Sequence, residues 1–91
     1  MLNQCIVTGN LGDDPKIFYS PEGNAVASFN LAFQSGKKKT CWIKVVTFHK
    51  LADICGQYLH KGARIAIAGM LDQNKWVSDD GQNRSTFQII G

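Results

Sequence analysis

From residue 25 to residue 33 the odd positions are Ala25, Ala27, Phe29, Leu31 and Phe33, with polar Ser28 and Asn30 between them. A period of two gathers these apolar side chains on one face of an extended chain and scatters them around a helix, so the stretch predicts a half-buried β-strand. Ser20-Pro21-Glu22-Gly23-Asn24 precedes it and reads as a turn, because proline presets φ and Gly or Asn tolerates positive φ. An earlier strand is expected over residues 4–8, broken by Gly9-Asn10-Leu11-Gly12 and resumed at Ile17-Phe18-Tyr19. A third strand over residues 41–48 is rich in β-branched and aromatic side chains, and Ser35-Gly36-Lys37-Lys38-Lys39-Thr40 joins it to the second.

The period then changes. Leu51, Ile54, Cys55, Tyr58 and Leu59 fall at i, i+3, i+4, i+7 and i+8, which is one face of a helix. Lys61 is expected in its last turn and Gly62 just past it as the stop. Alternation returns over residues 64–71, with Ile65, Ile67 and Leu71 on one side, and Lys75-Trp76-Val77 continues it. Ser78-Asp79-Asp80-Gly81 predicts a hairpin turn into a fifth strand, residues 85–90, with Phe87 and Ile89 facing inward. Three strands, a helix and two more strands is the order of an all-β fold, the five-stranded Greek-key OB-fold barrel with one α-helix between strands 3 and 4. Order alone leaves other α+β sheets open.

Ninety-one residues make one domain, residues 1–91. A compact chain of 10.0 kDa would expose about 5,200 Å² and hide about 64% of its unfolded surface, so the core is thin and a second subunit is a reasonable source of stability. The formal charge of +3 and a pI near 8.9 suit a polyanionic partner without proving one. No apolar run approaches the ~18–20 residues of a membrane span, and residues 1–10 show no signal peptide. Cys5, Cys41 and Cys55 form no CxxC, and His49 and His60 complete no zinc pattern, which predicts buried thiols in a reducing compartment and no metal or other cofactor. Asn83-Arg84-Ser85 matches a glycosylation sequon by chance.

The third strand carries the most informative chemistry. If its odd positions, Cys41, Ile43, Val45 and Thr47, face inward, the outer face presents Trp42 and Phe48 with Lys44 between them. Such rings stack on nucleic-acid bases, and a lysine meets phosphate. Both faces are rather apolar, so the pattern equally allows Trp42 and Phe48 to be core with Lys44 snorkelling. Lys37, Lys38 and Lys39 at a hairpin tip, Lys75 and Trp76 before another hairpin, and Arg84 after it fall where an OB-fold places its nucleic-acid surface. Lys50 and Lys61 flank the helix, and Lys61 has an alternative role as a cation at its C-terminus. Catalysis has no support: Asp13-Asp14 and Asp79-Asp80 sit in turns that favour Asp for backbone reasons, and no nucleophile elbow, phosphate loop or metal triad is present.

Val7-Thr8-Gly9-Asn10-Leu11-Gly12-Asp13-Asp14-Pro15, then Trp42-Ile43-Lys44-Val45-Val46-Thr47-Phe48, then Leu51-Ala52 through Tyr58-Leu59-His60-Lys61-Gly62, with Gly69-Met70-Leu71 and Lys75-Trp76, share order and spacing with the bacterial single-stranded DNA-binding protein (SSB) family. The chain resembles that family over nearly its whole length. The resemblance implies a non-enzymatic protein that binds and protects single-stranded DNA without strong sequence preference in replication, recombination and repair. It implies base stacking on Trp42, Phe48 and Trp76 and phosphate contacts from Lys44, Lys50, Lys61 and Lys75. It also implies a homo-oligomer, most often a tetramer, joined through the N-terminal strand at residues 3–8, and a cytoplasmic, nucleoid-associated location.

The sequence departs from the family pattern in three places. The loop at residues 35–40 is short and lacks a tryptophan, and Asp72, Gln73 and Asn74 stand where basic residues are common. The family's acidic C-terminal tail is absent from this chain, so repair and replication proteins are expected partners only where such a tail exists. An adaptor at sites of replication restart and an RNA-binding OB module are the alternative functions.

Overall fold

A computed structural model describes residues 1–37 and 39–91; Lys38, one of the three loop lysines, lies outside the described residues. The chain runs β1 (Cys5–Leu11), β2 (Lys16–Tyr19), β3 (Ala25–Ser35), β4 (Lys39–Phe48), α1 (His49–Tyr58), β5 (Arg64–Val77) and β6 (Asn83–Ile90). The sheet order β1-β5-β6-β4-β3 closes on itself because β1 also pairs with β3, Asn10 opposite Ala32 and Leu11 opposite Leu31. All pairings are antiparallel except β4 with β6, where Val45 lies opposite Ile89. A closed five-strand sheet with the helix between its third and fourth strands is the OB-fold expected from the element order.

The expected first strand is cut later than its glycines suggested. β1 runs through Gly9 to Leu11, and the break falls at residues 12–15 before β2 resumes along the other end of β3. Gly9 does not interrupt the ladder but lets β1 approach β3, since a Cβ there would lie 3.0 Å from the carbonyl carbon of Ala32. The break is tied down by two aspartates. Asp13 Oδ1 accepts a hydrogen bond from the Asn30 amide at 3.3 Å, and Asp14 Oδ1 accepts one from the Lys61 amide at 2.7 Å.

The core is built from the inward positions of β3 (Ala25, Ala27, Phe29, Leu31) with Leu11, Val45, Ile67 and Ile89, and α1 covers it with Ala52 and Cys55. Thr47 is fully buried and satisfied by donating to the Ala27 carbonyl. The helix is rotated from the expected face: Ala52, Cys55 and Leu59 turn inward, and Leu51, Ile54 and Tyr58 remain largely exposed. It ends at Tyr58, so Lys61 stands in the following loop and is not in the last helical turn. Of the three free cysteines only Cys55 is buried; Cys5 and Cys41 are partly exposed.

Beyond Gln88 the β5–β6 hairpin leaves the closed sheet. β4 pairs with β6 only at Gln88, Ile89 and Ile90, whereas β5 and β6 stay paired out to Val77 opposite Asn83. Phe87, expected inward, is 54% exposed on this arm; Leu71, also expected inward, is 42% exposed although it lies opposite the fully buried Ile89. The exposed area is 6624 Å², against about 5,200 Å² for a compact chain of this mass. The radius of gyration is 14.1 Å, against about 12 Å.

Candidate nucleic-acid interface

β4 resolves the choice its sequence left open. Val45 and Thr47 are fully buried, while Trp42 is 61% exposed, Phe48 is 39% exposed and Lys44 is exposed. Trp42 and Phe48 are therefore outer-face residues with the lysine between them. The Trp42 indole lies against Gly12, whose missing Cβ leaves room for the ring. Phe48 ends β4 in extended backbone (φ −127°, ψ 156°), and His49 turns the chain at φ 57° into α1. Lys50, one residue further, is exposed at the start of the helix.

Register carries this face across the sheet, since paired residues point to the same side. Lys44 lies opposite Asn30 on β3 and Gln88 on β6, and Gln88 lies opposite Asp72 on β5. Gln88 Nε2 donates to Asp72 Oδ2 at 2.9 Å, so a carboxylate is fixed on the same face as Lys44. Further along the arm Trp76, 46% exposed, lies opposite Arg84. Gln73, Lys75, Trp76, Val77, Asn83, Arg84 and Ser85 line an open cleft of about 450 Å³.

Arg84 is not a free cation. Its Nη2 lies 3.6 Å from Asp80 Oδ2, with both side chains about half exposed. Asp80 is held below the ordinary carboxylate value by a hydrogen bond from the Ser78 hydroxyl and then by the Gln82 amide, which fix it in the hairpin turn.

The remaining expected cations are more dispersed. Lys37 is exposed in the β3–β4 turn, and Lys39 opens β4 opposite Ser35. The Lys61 amide is pinned to Asp14, joining its loop to the segment that carries Gly12. The structure thus gathers Trp42, Lys44 and Phe48 on one strand, and Lys75, Trp76 and Arg84 on the arm. Lys37, Lys39, Lys50 and Lys61 belong to neither group: they lie in the β3–β4 turn, at the start of β4, in the first turn of α1 and in the loop after α1. Sequence reading did not assign Lys16 and Phe18 to this face; a four-residue β2 is too short to show alternation.

No group of three or more metal-ligating side chains occurs among the described residues, and no helix is long and apolar enough to cross a membrane. The closed sheet with an open aromatic and basic face defines an OB-fold domain. The chain belongs to the single-strand binding protein family, which it matches over residues 2–91. It is similar to the SSB of Plasmodium falciparum, solved as a complex with ssDNA, at 31% identity over 99% of this chain and 86% of that one, with a TM-score of 0.90.

Proposed function

We propose that this chain binds single-stranded DNA without sequence preference and without catalysing a reaction, protecting it during replication, recombination and repair. The observation that carries the reading is the outer face of β4, where Trp42 and Phe48 stand exposed on either side of Lys44. Every base has a π-face, so stacking on these rings, and on Trp76 on the arm, contributes on the order of 1–3 kcal/mol per base whatever the sequence. Stacking of this kind is general to SSB OB-folds. Lys44, Lys50, Lys61 and Lys75, joined by Lys37, Lys38, Lys39 and Arg84, meet phosphates and release counterions.

The reading includes self-assembly, most simply a tetramer joined through the N-terminal strand. On one side β1 pairs with β5; on the other it meets β3 only at Asn10 and Leu11, so residues 5–8 present an edge with no paired strand among the described residues. Ile6 on that edge is 68% exposed. Unpaired strand edges are templates for another chain. A cytoplasmic, nucleoid-associated role of the bacterial type follows from the motif resemblance.

The test is competition for a labelled oligo-dT between equal lengths of dT, U and duplex DNA, alongside the solution mass. Preference for dT at a mass near four chains is expected. Preference for U would identify an RNA-binding module. A dimer with weak affinity for all three would favour an adaptor.

A further inference from the structure

Two valines are buried on the wrong side of the sheet for the core. Val26 is 8% exposed and Val46 is 9% exposed, yet neither belongs to the core cluster that contains their neighbours Ala25, Ala27 and Val45. Alternation with the inward Ala25, Ala27 and Val45 puts both on the outer face. Val26 lies between Phe18 of β2 and Phe48 of β4, to which it is paired on either side. Lys16 lies opposite Ser28, which in turn lies opposite Val46. Phe18 is 53% exposed, more open than Phe48 at 39%.

We propose that β2 forms a further nucleotide subsite: Phe18 stacks a base and Lys16 meets the adjoining phosphate, so the strand crosses from Phe48 over β3 onto β2. The inference rests on the single-stranded DNA reading above. Two inter-strand spacings put the Phe18 and Phe48 backbones about 9.5 Å apart. Val26 fills the floor between the rings, so the surface is continuous. Among the described residues no carboxylate pairs with Lys16, leaving its charge available. The arrangement repeats the logic of β4, an exposed ring with a cation two residues away on the same face.

A purely structural role for Phe18, as a cover for Val26, makes a different forecast. Leucine covers a valine but offers no π-face. Phe18→Leu is therefore expected to weaken oligo-dT binding about tenfold with little change in melting temperature, while Phe18→Trp retains affinity. Lys16→Gln should make the log–log salt dependence shallower by about 0.7, one phosphate's worth. If Phe18→Ala weakens binding and Phe18→Leu restores it, the ring is only a cover and the subsite is overturned. Wild-type affinity in Phe18→Leu, with Trp42→Ala still impaired, overturns the subsite and leaves the β4 reading standing. Failure of the wild-type chain to bind oligo-dT overturns both.

Discussion

The six-membered ring of Trp42 lies over the backbone of Gly12, at a place where a Cβ would stand 2.8 Å from Cη2. The glycine is the floor of the indole's seat, and the ring's other side is open to solvent. Gly12→Ala fills that floor and pushes the ring away. Trp42 is 61% exposed, so it can swing outward with little loss of packing. Stability is expected to change by about 0.5 kcal/mol or less. Affinity for oligo-dT should fall by about 1–3 kcal/mol, as for Trp42→Ala. Thermal melting and binding isotherms measured together check both halves.

Asp72 is expected to weaken binding. Gln88 holds its carboxylate on the outer face, two strands from Lys44. That spacing of about 9.5 Å compares with a Debye length of about 8 Å at physiological salt, so repulsion of a phosphate on this face is only partly screened. Asp72→Arg should tighten binding and steepen the salt dependence by about 0.7, and Asp72→Asn should tighten it less. Both effects should fade as salt rises. Unchanged affinity and slope at low salt would mean that the strand does not pass Asp72.

Arg84 is shared between the hairpin turn and the proposed DNA path. Asp80→Asn removes the negative charge facing it while leaving an oxygen for Ser78 and Gln82. Oligo-dT binding at low salt should tighten severalfold, with a steeper salt dependence measured by titration across salt concentrations. The pH dependence has a definite sign. The Asp80 carboxyl is lowered in the folded chain, so its contribution to stability is present above the ordinary value of 3.8 and is lost as pH falls through the lower folded value.

The arm makes a prediction about stability. Ile89 is fully buried and Phe87, two residues earlier, is 54% exposed. Ile89→Ala should cost about 2–5 kcal/mol. Phe87→Ala should cost far less despite removing the larger side chain, because more than half of Phe87 is already exposed. Urea titrations of the two variants provide the comparison.

Those two residues also show where sequence reading stops. Alternation correctly paired Phe87 with Ile89 on one side of β6, but it cannot say how far along a strand the opposite layer extends. Trp42 and Phe48 were legible as a pair on one face, yet β4 is apolar on both faces, and only the burial of Val45 and Thr47 decided which face is open. The helix was legible, but its inward face turned on Ala52, a residue too small to stand out in a hydrophobic pattern. Lys16 and Phe18 were missed because their relation to Phe48 is a matter of register through Val26, a contact across sequence that no local spacing records.

The central claim is that bases stack on the outer face of β4. The chain has two tryptophans, so Trp76→Phe leaves Trp42 as the sole indole reporter while keeping a ring on the arm. Titrating this variant with oligo-dT should quench Trp42 emission along a saturable isotherm. Its midpoint should shift to weaker binding with salt, at a log–log slope of about −0.7 per phosphate neutralised. Binding of labelled oligo-dT detected by anisotropy, with Trp42 emission unchanged, would contradict the account.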